Sequence, residues 1–222
     1  LKTINADDTN LWAGTIHSFC LEWILRPYMC YVDELKNGFS ISDEYHTQKL
    51  ISELKKNYGL NFWVPISTRY LPNGKKEETE NTDLLDEYHE QIADEKLIDF
   101  DQILHYSYKL LSNYPKISET LKNMFQFICV DEFQDTQMLQ YAILAQIMKG
   151  ESGNCKMFMV GDADQAIYGS LGGVAKSKIE IESEFGTQFI NKELSGNYRS
   201  NQEIINYYRN FQTSDIEIEA LG

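Results

Sequence analysis

Two short apolar runs, each ending in acids, constrain this 222-residue chain more than anything else in it. Phe125–Val130 leads straight into Asp131-Glu132-Phe133-Gln134-Asp135. Met157–Val160 leads into Gly161-Asp162-Ala163-Asp164-Gln165. Both runs have the length of buried strands rather than of helices. Between them, Thr136–Lys149 is apolar on more than one face and ends at Gly150, as a packed crossover helix would. Asp131 and Asp162 stand 31 residues apart, about the size of one βαβ unit. Gln188–Ile190 reads as a third strand and Asn201–Phe211 as a further helix. Strands alternating with helices predict an α/β fold with a parallel sheet, whose ligands bind outside the carboxyl ends of the strands.

The first half of the chain has a different texture. From Thr15 to Leu25 the apolar spacing of Ile16, Phe19, Cys20, Trp23 and Ile24 predicts a helix. Asp43–Tyr58 predicts a second helix, and Asp83–Glu95 a third with a strongly acidic face. Asp99–Leu111 predicts a helix capped near Asp99 or Asp101. Tyr58–Lys76 contains Gly59, Pro65, Pro72 and Asn73-Gly74, and so reads as loop and turn.

The chemistry concentrates at the two strand ends. A carboxylate such as Asp131, placed at the end of a parallel strand, can hold Mg²⁺, a hard cation that takes oxygen ligands and substrate phosphates. A second carboxylate beside it, Glu132, can orient or deprotonate an attacking water. The alternative is an acidic turn that caps the following helix, since acids stabilise helix N-termini. The second strand end repeats the arrangement with Asp162, Asp164 and Gln165. Capping explains one such end more easily than two.

Charge at first argues against a nucleic-acid partner, because 20 Lys and Arg against 34 Asp and Glu leave −14. Counting by segment changes that inference. Glu77–Asp101 holds eleven acids and one base, Lys96, for −10, which leaves −4 on all other residues. The remaining surface is nearly balanced, and the total excludes no DNA-binding face. The four cysteines, Cys20, Cys30, Cys129 and Cys155, stand far apart without a C-x-x-C pair, so a reducing, cytoplasmic setting is expected. Cys129, inside an apolar run, reads as a small buried hydrophobe. The apolar runs are too short to span a bilayer, and no signal peptide is visible. The first residue is Leu1 rather than Met, which suggests a fragment, a processed chain or an ordered part of something longer.

Five segments in order carry a resemblance. Val130-Asp-Glu-Phe-Gln-Asp-Thr136 resembles the Walker B segment of the UvrD/Rep/PcrA group of superfamily 1 DNA helicases. Val160-Gly-Asp-Ala-Asp-Gln-Ala-Ile-Tyr-Gly169 resembles motif III of that group, and Leu194-Ser-Gly-Asn-Tyr-Arg-Ser200 its motif IV. Gly14-Thr-Ile-His-Ser-Phe19 resembles the DNA-contacting motif Ib, and Ile98-Asp-Phe-Asp-Gln-Ile-Leu104 the group's "DFDDLL" segment.

The resemblance implies a RecA-like P-loop NTPase core with a mainly helical inserted subdomain. It divides the chain into residues 1–26 and 98–196 of the first RecA-like domain, an insertion over 27–97, and the start of a second RecA-like domain at 197–222. It implies ATP and Mg²⁺ as cofactors and single-stranded or partly duplex DNA as partner, with 3′-to-5′ movement. Asp131 would coordinate Mg²⁺, Glu132 would activate water, and Gln165 would sense the γ-phosphate. Arg199 would act as an arginine finger and Tyr198 would stack near the adenine. Thr15, His17 and Ser18 would contact phosphates, and Phe100 and Tyr168 would stack on bases. Read without the resemblance, Arg199 is a surface arginine in a turn, His17 a hydrogen-bonded helix histidine, and Phe100 as much a core residue as a base contact.

Two departures qualify the resemblance. Where the group continues motif III as Tyr-Gly-Trp-Arg-Gly, this chain has Tyr168-Gly169-Ser170-Leu171-Gly172, without that tryptophan platform. No G-x-x-x-x-G-K-[ST] pattern occurs in it: Gly74-Lys75-Lys76 lacks the following Ser or Thr, and Gly172–Ser177 has Ala175 where glycine is needed. In the group the P-loop precedes motif Ib, so Leu1 is expected to begin after it, and motifs V and VI are expected beyond Gly222. Two further function classes stay open: a non-catalytic DNA-sensing or protein-interaction module, and the motor subunit of a nuclease complex in recombination or antiphage defence.

Overall fold

The computed structural model describes residues 10–78, 80–149, 153–166, 172–213 and 216–221. Tyr168, Ser170 and Leu171 lie outside them. The chain forms a mixed α/β structure in two units, one of residues 1–126 and 138–155, the other of 127–137 and 156–222.

The first unit is mainly helical. Its chain opens with α1 (Ile16–Phe19), widens into a π-helical stretch over Cys20–Leu25, and closes as α2 (Arg26–Tyr28). This continuous run realises the helix expected over Thr15–Leu25. Cys20, Ile24 and Leu25 are fully buried along it. Burial also pushes the Cys20 thiol up to about 12, which keeps it an inert apolar group. Then come α3 (Glu44–Asn57), α4 (Thr82–Asp94), α5 (Phe100–Asn113), α6 (Pro115–Met124) and α7 (Met138–Met148). Two short strands, β1 (Ser40–Ile41) and β2 (Leu97–Ile98), pair in parallel. The sequence pattern did not announce α6 or this strand pair. Pro115 at the first turn of α6 fits, because proline lacks only an N–H that a helix start leaves unpaired anyway. On α7, Leu139 to Ala145 are all buried, as expected for a helix apolar on several faces. It packs on α5 and α6.

A second small core joins α3 to α4. Leu54, Leu84, Leu85, Tyr88 and Ile92 are buried together, with Leu50, Ile51, Leu60, Ile66 and Leu97 packed around them. The acids of α4 point the other way: Asp83, Asp86, Glu87, Glu90 and Asp94 border an open surface depression with Tyr58.

The start of α5 is fixed by a buried carboxylate. Asp99 is 3% exposed, and its Oδ1 accepts from the Gln102 amide at 2.7 Å. Gln102 Oε1 in return accepts from the Asp99 amide at 3.1 Å, completing a capping box. The remaining oxygen, Oδ2, accepts from the Tyr88 hydroxyl at 3.0 Å. Both candidate caps named by sequence are acids, but only Asp99 has the extended backbone a cap requires.

The second unit contains β3 (Phe127–Val130), β4 (Lys156–Met159), α8 (Lys178–Phe185), β5 (Gly196–Asn197), α9 (Gln202–Tyr208) and β6 (Glu219–Ala220). β3 and β4 pair in parallel with Phe127 opposite Lys156 and Val130 opposite Met159. The chain passes through α7 between them, so the βαβ order read from the sequence is present. β5 and β6 form a separate parallel pair.

Two expectations are corrected here. Gln188–Ile190 forms no strand. The Phe189 amide donates to Glu182 Oε1 at 2.7 Å, and the Phe189 ring packs on Phe185 at 5.5 Å, so the segment folds back on α8 instead of pairing. Cys129 is exposed rather than buried. Side chains alternate along β3, and Phe127, 61% exposed, shares the open face with Cys129, while Val130 is buried. Among the described residues, no helix is long and apolar enough to cross a membrane.

Asp99 yields a pH prediction. Burial pushes its carboxyl up to about 6; its hydrogen bond from Gln102 opposes this, and the neighbouring Asp101 adds to it. A folded-state value above the ordinary 3.8 means the folded chain takes up a proton between about pH 4 and 6. The cost of burying this charge is therefore absent below the ordinary value and complete above about 6. Asp99→Asn keeps a cap acceptor and can donate to Tyr88. It should leave stability unchanged near pH 4 and raise it above pH 6, flattening that part of the profile. Chemical denaturation at stepped pH checks this; a variant that loses stability equally at both ends contradicts it.

Candidate functional site

Parallel pairing brings the turns after β3 and β4 out at the same end. The two turns are knitted together by backbone first: the Val160 amide donates to the Val130 carbonyl at 2.8 Å, and the Phe133 amide to the Val160 carbonyl at 3.0 Å. Side chains complete the joint. Gln134 is 2% exposed. Its Nε2 donates to Glu132 Oε2 at 2.8 Å, and its Oε1 accepts from the Asp162 amide at 3.0 Å. Asp162 then accepts through Oδ2 from Gln165 Nε2 at 2.8 Å and through Oδ1 from the Asp164 amide at 3.0 Å. A single chain of hydrogen bonds thus runs Glu132–Gln134–Asp162–Gln165. Asp164 is held from another direction, accepting from the amide and hydroxyl of Thr213.

Two backbone features make this joint possible. Gly161 touches the first turn so closely that an added Cβ would collide with Gln134 Oε1, and would lie 2.6 Å from the Phe133 ring and 2.9 Å from its amide nitrogen. Glu132 sits in the left-handed region at φ 49°, where residues with a Cβ rarely rest. Strain of that kind persists only where surrounding contacts enforce it, and it gathers at functional sites.

The donor set suits Mg²⁺. Asp131 and Glu132 are exposed side chains offering only hard oxygen donors. The hydrogen bonds described occupy one oxygen of each, Asp131 Oδ1 with the Glu132 amide at 3.0 Å and Glu132 Oε2 with Gln134. Asp135 Oδ1 is a buried acceptor without a hydrogen-bond partner among the described residues. No group of three or more ligating side chains occurs among the described residues. Mg²⁺ is held through one or two carboxylates, with water and phosphate in its other positions.

Arg199 and Tyr198 follow β5. Asn197 Oδ1 accepts from the amides of Arg199 and Ser200, each at 2.9 Å, which fixes the turn that carries them. Tyr198 is 78% exposed and Arg199 is exposed. Among the described residues neither side chain is hydrogen-bonded or paired to the acids of the strand-end turns, so the structure does not bring these two into the joint.

The residues expected on DNA lie in the helical unit. Thr15 caps α1: its Oγ1 accepts from the Ser18 amide at 3.1 Å and lies 3.0 Å from Ser18 Oγ. His17 meets the Phe100 ring edge-on, centroids 5.8 Å apart at 83°. Burial lowers the His17 pKa, and the nearby Asp101 opposes that. Phe100, 48% exposed, follows the Asp99 cap directly. The two segments, distant in sequence, therefore present one surface. Tyr168, expected on the same surface, lies outside the described residues. Asp101, the next residue after Phe100, accepts from the Thr68 hydroxyl at 2.5 Å. Gln134, Gly161 and Asn197 all stand inside the quoted motifs, yet their roles were not legible there. A buried amide that bonds in two directions has no signature in spacing.

Comparison with known proteins identifies a common family. The UvrD/REP helicase N-terminal domain family matches residues 57–186. The chain is 29% identical to "ATP-dependent DNA helicase UvrD1" of Mycobacterium tuberculosis over 222 aligned positions, covering 88% of this chain. It is 30% identical to "DNA helicase II" of Haemophilus influenzae and 28% identical to "ATP-dependent DNA helicase PcrA" of Staphylococcus aureus, again over 88% of this chain. The chain spans 28% of the length of each of these relatives.

Gly161→Ala tests the joint. The added methyl must displace buried Gln134 or the Phe133 backbone, a change that costs about 1–3 kcal/mol. The urea midpoint should fall accordingly, with no loss from Gly59→Ala, whose added Cβ meets open space, beyond the cost of its left-handed backbone. An unshifted midpoint for Gly161→Ala contradicts the close approach.

Proposed function

The chain belongs to the UvrD/REP helicase family, and we propose that it is part of an ATP-dependent DNA helicase or translocase that couples Mg²⁺-ATP hydrolysis to movement on single-stranded DNA. The observation that carries this reading is the hydrogen-bond chain from Glu132 to Gln165 across two parallel strand ends. Movement is 3′-to-5′ by resemblance to the UvrD/Rep/PcrA group, and the protein works in the cytoplasm. The β3–α7–β4 unit would belong to a RecA-like core made of residues 1–26 and 98–196. Residues 27–97 would form the inserted subdomain, and 197–222 would enter a second RecA-like domain.

In this reading Asp131 holds Mg²⁺, which supplies charge neutralisation for the departing phosphates. Glu132 accepts the proton of the attacking water; its left-handed backbone and its bond from Gln134 aim the carboxylate. Gln165 reports the state of the γ-phosphate, and it reaches Glu132 through Asp162 and Gln134. Arg199 and Tyr198, exposed on a fixed turn, become the arginine finger and the adenine contact when the nucleotide is enclosed. Thr15, His17 and Ser18 contact the DNA backbone, while Phe100 and Tyr168 stack on bases. The absence of the tryptophan platform at Ser170 favours one other reading: a DNA-sensing or scaffold module that does not unwind. Strand displacement measured beside ATPase on the longer parent separates the two. A nuclease or other DNA-processing subunit that co-purifies would place the parent in such a complex.

Two outcomes test the hydrolytic roles. In the parent, Glu132→Gln should lower turnover about 10²–10⁴-fold while nucleotide binding persists. Unchanged turnover would remove Glu132 from the role. The 222 residues contain no G-x-x-x-x-G-K-[ST] to hold the β- and γ-phosphates, so by themselves they should show no appreciable DNA-stimulated ATPase. Robust hydrolysis by the purified chain contradicts this.

A further inference from the structure

The loop between α3 and α4 carries a feature that neither the strand-end joint nor the Phe100 surface uses. Phe62 and Trp63 are adjacent, 67% and 83% exposed, on an otherwise well-anchored tip. Leu60 before them and Ile66 after them are packed into the α3–α4 core. The tip itself is held in shape. Asn61 Oδ1 accepts from the Trp63 amide at 3.1 Å, and the Asn61 carbonyl accepts from the Val64 amide at 3.1 Å. Lys55 Nζ donates to the Phe62 carbonyl at 3.2 Å and stands 5.9 Å from the centre of the Phe62 ring. The two rings meet edge-to-face at 5.4 Å, and the Trp63 ring presents itself to solvent. A fixed turn that projects the largest side chain outward is an arrangement for contact; core packing does not explain it.

Charge decides what kind of contact. This chain is −14, yet from the α3 cap Asp43 to Lys76 six cations (Lys49, Lys55, Lys56, Arg69, Lys75 and Lys76) accompany three acids, Asp43, Glu44 and Glu53. Arg69 and Lys76 are paired, with Glu77 and Asp86. Lys49, Lys55 and Lys56 remain on α3, the helix that leads into the tip. Tyr45, 77% exposed, Lys49 and Lys56 recur at i, i+4 and i+11 along one side of that helix. Cations beside outward aromatics match a polyanion with flat bases: ammonium groups meet phosphates and rings stack on bases.

We propose that the Phe62–Trp63 tip is an accessory contact for single-stranded nucleic acid, with Trp63 stacking on a base and Lys55 and Lys56 meeting the flanking phosphates. The inference rests on the proposed DNA-handling function but concerns a surface separate from Phe100 and His17. It places strand contact on the segment between α3 and α4 as well as at the start of α5.

The test uses the chain with Trp12→Phe and Trp23→Phe, which leaves Trp63 as the only tryptophan. Titration with unlabelled oligo(dT) should quench its emission saturably. In parallel, anisotropy of a labelled oligo(dT) should show Trp63→Ala binding about 5- to 150-fold more weakly, the span of one lost stacking contact. Trp63→Phe should retain most of the affinity. Lys56→Ala should flatten the salt dependence by about 0.7 in log–log slope. If anisotropy reports binding while Trp63 emission stays constant and Trp63→Ala binds normally, the inference is overturned and the helicase reading stands. The tip would then be a site for an apolar protein surface. If no oligo(dT) binds, the inference also falls; the turnover of Glu132→Gln in the parent reports on the function independently.

Discussion

The bond pair made by the buried Gln134 side chain is the constraint on which the site depends. Its amide donates to the Glu132 carboxylate and accepts from the Asp162 backbone, so two turns from separate strands are set by one group. Backbone pairing of β3 and β4 delivers the turns to the same end but does not aim their side chains. A buried amide with both functions satisfied is costly to disturb, because removing either partner leaves a polar atom unpaired in a dry environment. Gly161 is the complement of this arrangement. Only a residue without a Cβ lets the second turn come near enough to be bonded by Gln134.

The helical unit solves a different problem, that of presenting an exposed ring from a rigid base. Phe100 follows a helix cap whose carboxylate is buried and bonded by Gln102 and Tyr88. Tyr88 belongs to the α3–α4 core, so the core and the cap share one residue. Asp101, the residue after Phe100, takes the Thr68 hydroxyl from the loop between α3 and α4. Both flanks of Phe100 are therefore tied to the segment of α3, α4 and the loop between them. The Phe100 ring in turn meets His17 edge-on.

Much of this was legible in the sequence because it rests on local rules. The two apolar runs with acidic ends gave the parallel pair, and the spacing through Ile16, Phe19, Trp23 and Ile24 gave the first helix. Asp99 was a cap candidate from its place before an apolar periodic segment. The misreadings are of one kind. Gln188–Ile190 has strand-like residues but spends its backbone donor on Glu182, a contact set by α8 and invisible to periodicity. Cys129 lies in an apolar run, yet apolarity does not say which face of a two-stranded pair is covered. Gln134 was overlooked because a polar residue in an acidic turn reads as solvated, and its burial depends on the second turn 27 residues later, at Gly161.

The claim that Gln134 sets the site is tested most directly by amide hydrogen exchange at Asp162. That amide lies outside the β3–β4 ladder, in an exposed turn, and its acceptor is a side chain. It should exchange slowly, in the range of the Val160 amide that donates to the Val130 carbonyl. Replacing Gln134 with Leu should release the Asp162 amide while leaving the Phe158 amide, which faces β3 in the parallel ladder, protected. Exchange of the Asp162 amide at the rate of an open loop in the unaltered chain would contradict the account.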